Sequence, residues 1–159
     1  LVVVDIAPVN YADRFTAYAK ALLAPEVLSA ETRAEVQRRL VTWLPDAAVA
    51  PFLMQNLVIR NDRFDWRVNV TAILASVTEL SGFPTLLQDL RFPRPILVIA
   101  GKRSDYLSVN DAVHFQPMFP ALHFETVPGA GHWVHSDQPE ACCNAVMRFL
   151  GPQASAPAS

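Results

Sequence analysis

Glycine is scarce and unevenly placed in this chain. Only 5 of the 159 residues are glycine, and none precedes Gly82. A Gly-x-Ser-x-Gly elbow, the tight strand-to-helix turn that exposes a nucleophilic serine, is therefore absent. Cysteine is limited to the adjacent pair Cys142 and Cys143. Neighbours on a helix point in different directions, so this pair cannot form an ordinary structural disulfide. That usage suits a reducing compartment, and the expectation is a cytoplasmic protein. No apolar run reaches the roughly 18 residues of a membrane span, and no stretch reads as a signal or transit peptide. Lys and Arg number 13 against 15 Asp and Glu, a net charge of −2. With no basic cluster and no acidic run, charge gives no case for nucleic acid as a partner.

What is present is core. A hydrophobic content of 52% against 18% charged residues argues for a packed globular chain. Residues 1–5 form an apolar run ending in Asp5, the pattern of a strand buried on both faces. Such a strand starting at residue one leads to the expectation that more chain lies upstream. Residues 11–82 read as a helical insertion, with Phe15, Tyr18 and Leu22 spaced for one apolar face. Ser29 is expected to N-cap a helix to about Leu44, with Glu31 in its first turn. A short helix should follow through Phe52, Leu53 and Leu57. Residues 63–68 alternate as an extended piece, and 70–79 read as another helix. Pro95 to Ala100 is a second apolar strand. Ser108 to Asp111 is a capping box opening a helix to about Phe119, and residues 123–127 are a third strand. Asp137 is expected to N-cap a last helix to Leu150, with Pro139 in its first turn. Residues 151–159 read as a mobile, disordered tail. Strands alternating with helices imply an α/β class with a parallel sheet.

Chemistry concentrates at Gly129-Ala130-Gly131-His132-Trp133. Here a histidine sits in a glycine-flanked loop between a strand and a helix. That location, at the carboxyl edge of a parallel sheet, exposes a side chain above the sheet. A histidine there can act as a general base if a carboxylate aims it. Two acids are topologically suited, Asp5 after the first strand and Asp105 after the second. Asp111 is better assigned to the capping box. His135 makes an H-x-x-H pair with His132, but no further ligands cluster nearby, so no metal is expected. His114 and His123 read as structural or surface residues. The insertion carries Trp43, Phe52, Leu53, Met54, Leu57, Phe64 and Trp66, and it suits a lid above a hydrophobic pocket. The plainer reading is that these side chains pack against one another.

The stretches Val4-Asp5-Ile6-Ala7-Pro8-Val9, Arg63-Phe64-Asp65-Trp66-Arg67-Val68-Asn69, Phe119-Pro120 and Gly129-Ala130-Gly131-His132-Trp133-Val134-His135 resemble the α/β-hydrolase superfamily. More narrowly, they resemble its branch of small acyl-ester esterases, the abhydrolase-domain proteins. The resemblance implies an α/β fold: the C-terminal part of an α/β-hydrolase parallel sheet with a helical lid insertion, within one domain over 1–150. It also implies that the Gly-x-Ser-x-Gly nucleophile and the oxyanion loop lie upstream of this chain. The complete protein is then expected to be a serine hydrolase acting on short to medium acyl esters or thioesters. Its triad would draw on His132 as base and on Asp5 as acid, with Asp105 the runner-up. The more usual superfamily acid follows the next strand as G-x-x-D, where this chain has Ser104. Thr71 stands where some members are assigned an acid. Trp133, Tyr106, Phe52 and Leu53 are the expected substrate-pocket residues, and no cofactor is needed. The 159 residues alone are expected to be inactive. Two rival expectations remain: a non-catalytic half-fold used for binding or pairing, and another reaction on the same fold such as acyl transfer.

Overall fold

Three consecutive valines start the first strand, because β-branched side chains favour extended backbone. The computed structural model describes residues 1–87 and 89–151. Its strands are β1 (Val2–Val4), β2 (Leu57–Arg60), β3 (Arg63–Trp66), β4 (Ile96–Gly101) and β5 (Leu122–Val127). The expected tail lies outside the described residues beyond Gly151. Two compact units divide the chain, one of Leu1–Val9 with Pro84–Ser159, the other of Asn10–Phe83.

In the first unit β1, β4 and β5 form a parallel sheet in the order β1-β4-β5. Every residue of β4 is buried, as a central strand of a parallel sheet requires. The expectation that the Val2–Val4 strand is buried on both faces fails. Val2 and Val3 are half-buried and Val4 is exposed. The reason is position: among the described residues β4 is its one strand neighbour. Leu97 and Ile99 of β4 pack with Val127, Ala130, Val134, Cys142 and Ala145. The last two come from the helix Pro139–Leu150. Pro139 opens that helix because its missing N–H would be unbonded there anyway. Asp137 does not cap it. Asp137 ends a separate turn, Val134–Asp137, and its carboxylate accepts the Gly131 N–H instead.

The capping box at Ser108 forms as expected, with the Ser108 N–H and hydroxyl both on Asp111 Oδ2. The helix it opens is shorter than expected, running only over Ala112–Phe115. Pro117 explains the stop, since it has no N–H and its ring crowds the preceding turn.

The unit Asn10–Phe83 has its own core around Leu22, Val27, Val36, Leu40, Met54, Leu57, Trp66 and Val70. The buried Trp66 indole N–H donates to the Leu22 carbonyl at 2.7 Å, so burial of the large ring leaves no orphaned donor. Ser29 does not cap the long helix. It closes the short helix Pro25–Leu28. The long helix is Arg33–Trp43, and Thr32 caps it, its hydroxyl accepting the Glu35 N–H at 3.2 Å. Glu35 reaches back past the cap to accept the Glu31 N–H at 3.0 Å, so a second backbone donor at the helix start is satisfied. The Glu31 N–H, with Arg39 behind it, holds the Glu35 carboxyl below its ordinary range.

Leu57 also departs from expectation. The helix Ala50–Leu53 gives way to a 3-10 turn, and Leu57 opens β2. β2 pairs antiparallel with β3, from Leu57↔Trp66 to Arg60↔Arg63. Asn61 and Asp62 join them with φ of 49° and 58°. Positive φ at both central residues is the two-residue hairpin turn whose twist matches the strands, and Asn and Asp tolerate it. The helix expected over 70–79 is broken at Ser76 into Val70–Ala75 and Val77–Ser81.

Two stability outcomes follow in the intact protein, each read by urea or thermal unfolding. Thr32→Ala should cost about 1 kcal/mol as a lost N-cap, whereas Ser29→Ala should stay within about 0.5 kcal/mol. Equal costs would contradict the cap assignment. At Gly101 an added Cβ would stand 2.1 Å from the Gly131 carbonyl oxygen. Gly101→Ala should therefore destabilise by at least about 1–3 kcal/mol, the range for overpacking, and an unchanged melting temperature would contradict that close approach.

Candidate active site

Asp5 continues β1 by one ladder bond, its N–H donating to the Ile99 carbonyl at 2.8 Å. The chain then turns through a left-handed conformation at Asp5, φ 53°. Few side chains other than glycine, asparagine and aspartate adopt it readily. The turn drives the carboxylate inward, and Asp5 is 0% exposed. Burying a carboxylate is costly unless its oxygens are bonded. Here Oδ1 accepts the Gly101 N–H at 2.8 Å. Oδ2 accepts the Ser104 hydroxyl and lies 2.8 Å from His132 Nδ1.

Two loops at the carboxyl ends of β4 and β5 bring these groups together, and they are tied to each other. Lys102 N–H donates to the Val127 carbonyl at 3.0 Å and Arg103 N–H to the Ala130 carbonyl at 2.8 Å. The Arg103 guanidinium donates to the Gly129 carbonyl at 2.5 Å. Gly129 turns at φ +76°, a conformation that favours glycine. Gly131 is held at its N–H by Asp137, at 2.7 Å. Ser104 is placed by a turn in which its N–H donates to the Gly101 carbonyl.

The imidazole of His132 is held on one edge and one face. Asp5 binds Nδ1, and the Tyr106 ring stacks on it with centroids 3.8 Å apart and planes 20° from parallel. The side chain remains 39% exposed. An ionised carboxylate only accepts, so the neutral imidazole that suits this pairing has its proton on Nδ1 and its lone pair on Nε2. A neutral imidazole so oriented can take a proton from an acidic hydroxyl, and the resulting imidazolium faces a buried carboxylate.

The other expected site residues are placed less closely. Asp105 is exposed in the loop after β4, while Asp5 is the carboxylate on Nδ1. Trp133 follows His132 and is partly exposed at the start of Val134–Asp137. Phe52 and Leu53 belong to the unit Asn10–Phe83. Within it Phe52 is exposed and Leu53 packs against the core. His114 stands 3.9 Å from Asp111, and His123 meets Phe149 edge-on. Among the described residues no three His, Cys, Asp or Glu side chains cluster as a metal site, and no helix is long and apolar enough to cross a membrane. Sequence reasoning missed the contributions of Gly101, Arg103 and Asp137 and the hydroxyl of Ser104. The one local signal was Ser104 itself, three residues beyond the glycine that ends β4.

Known proteins are similar to this chain over most of its length. Residues 1–145 match the model of the alpha/beta hydrolase family. The sn-1-specific diacylglycerol lipase ABHD11 of Mus musculus is 35% identical over 156 residues, covering 94% of this chain and 50% of that protein. Esterase YbfF of Escherichia coli (strain K12) is 30% identical over 151 residues, covering 94% of this chain and 57% of that protein. Among solved structures, a marine microorganism esterase superposes with a TM-score of 0.83 at 28% identity, covering 94% of this chain and 60% of the other. The chain spans about half the length of the curated relatives it matches. With its parallel sheet and its match over residues 1–145, the chain belongs to the alpha/beta hydrolase family.

Proposed function

We propose that this chain is the C-terminal portion of a serine hydrolase that cleaves short to medium acyl esters or thioesters. The observation that carries the reading is the 2.8 Å pairing of His132 Nδ1 with the fully buried Asp5 carboxylate. The esterase and lipase names of the relatives support an ester as substrate. A serine hydroxyl from the upstream half attacks the acyl carbonyl and gives its proton to His132 Nε2. The imidazolium passes that proton to the departing alcohol or thiol, leaving an acyl-enzyme. Water then attacks the acyl-enzyme with His132 again as base, releasing the acid and the serine. Asp5 holds the reactive tautomer and stabilises the imidazolium. The scheme needs no metal or organic cofactor. Trp133 and Tyr106 flank the histidine as walls for the acyl group.

The test is hydrolysis of p-nitrophenyl acyl esters by the full-length protein. His132→Gln and Asp5→Asn should each lower kcat by about 10³- to 10⁴-fold, the scale of losing a base or its orienting acid. Asp105→Asn should stay within a few-fold of wild type. A large loss in Asp105→Asn with little in Asp5→Asn would reverse the acid assignment. Full activity in His132→Gln would end the triad reading.

A further inference from the structure

We propose that the β2–β3 hairpin carries a phosphate-binding site, in which Arg60 and Arg67 hold the anion. The site lies within the unit Asn10–Phe83 and is independent of the triad reading above.

The hairpin has two unlike faces. Its register pairs Leu57 with Trp66 and Ile59 with Phe64 on one face. Leu57, Phe64 and Trp66 of that face pack into the apolar core. Strand alternation puts Val58, Arg60, Arg63 and Asp65 on the other face. There Arg60 stands directly opposite Arg63. Like charges facing each other across a ladder are destabilising, and Asp65 is the one acidic residue of this face.

That carboxylate is already engaged. Its Oδ1 accepts the Trp66 N–H at 2.8 Å, and its Oδ2 lies 3.3 Å from Arg60 Nη1. Neither Arg63 nor Arg67 has an ion-pair partner among the described residues. A hollow of about 280 Å³ opens here, and its polar lining is Arg60, Asp65, Arg67, Asn69 and Thr71. Asn69 spends its Oδ1 on the Ala72 N–H at 3.0 Å, which leaves its amide N–H groups to give. The hollow thus gathers donors from two guanidiniums, an amide and a hydroxyl round a single carboxylate that is in use. A lone surface arginine is satisfied by water. A surplus of donors about one concavity instead matches an anion.

The anion that fits is a phosphate group. A carboxylate is planar and matches one guanidinium fork. Arg60 lies on one strand and Arg67 just beyond the other, so they approach the hollow from different sides. A phosphate group offers roughly two negative charges and three acceptor oxygens, enough to meet both forks and the Asn69 amide together. A soluble phosphate compound and a lipid headgroup present this same group, and the test separates them.

The full-length protein is titrated at low ionic strength, where exposed charges are least screened. One arm uses inorganic phosphate and, for comparison, acetate, read by calorimetry. The other uses phosphatidic acid in phosphatidylcholine vesicles, read by sedimentation. Saturable binding is expected, with phosphate held more tightly than acetate. Arg67→Gln should weaken it about tenfold, the scale of one lost bond to a charged group. Asp65→Asn removes the competing charge and frees Arg60, so it should tighten binding, a gain that a merely structural role for Asp65 would not give. Arg38→Gln, an exposed arginine of the helix Arg33–Trp43, should change nothing. Binding of inorganic phosphate with this pattern assigns the site to a soluble compound, and the same pattern on vesicles alone assigns it to a headgroup. The proposal is overturned if neither probe binds, if acetate binds as tightly as phosphate, or if folded Arg67→Gln binds like wild type. Weaker binding in a folded Asp65→Asn protein overturns it equally. Thermal unfolding checks each variant, and if Asp65→Asn does not fold, Arg67→Gln against Arg38→Gln carries the test.

Discussion

A buried carboxylate must be bonded on both oxygens, and the sheet-bearing unit is arranged around that demand at Asp5. Taking a charged group out of water costs far more than any one neutral hydrogen bond returns. The cost is met by three donors: the Gly101 N–H at the end of β4, the Ser104 hydroxyl and His132 Nδ1. The ladder bond from Asp5 to Ile99 brings β1 alongside β4, and the end of β4 with the loop after it supplies two of the three donors. The left-handed turn at Asp5 is a local strain that the surrounding bonds offset.

The same demand explains why the loops after β4 and β5 lie against each other. Gly101 has no room for a side chain because the Gly131 carbonyl occupies that space. Arg103 closes the junction through its amide and its guanidinium, and Asp137 ties the glycine preceding His132. His132 therefore rests on a braced loop although its ring remains partly exposed. A general base must be both accessible and held within a narrow range of geometry. Bracing the backbone while leaving the ring edge open meets both needs.

The unit Asn10–Phe83 solves a different problem. Its short helices could not be stable singly. They are joined by a shared apolar core and by Trp66, whose ring fills that core and whose N–H bonds the Leu22 carbonyl. The hairpin β2–β3 delivers Trp66 to that place. Asn61 and Asp62 at its turn are a legible hairpin signal, as Thr32-x-x-Glu35 is for the cap and Pro117 for a helix stop. The helical period around them and Ser29, an equally good cap by type, outweigh these signals when the chain is read locally.

By itself the sequence determined the parallel α/β class, the strands at β4 and β5, the capping box at Ser108 and the candidacy of His132. Each rests on residues close together in the chain, where periodicity, capping and glycine placement act. It left the acid open between Asp5 and Asp105, because both follow strands and nothing local separates them. The tertiary structure decided which carboxylate meets the imidazole. Asp5 and His132 are 127 positions apart, and strand order determines that they meet. It likewise decided that β4 and not β1 is the buried strand, and that Ser104 faces a carboxylate 99 positions away. A side chain's type is fixed by the sequence, but its partners across the sheet are fixed by packing and by the need to satisfy every buried polar group.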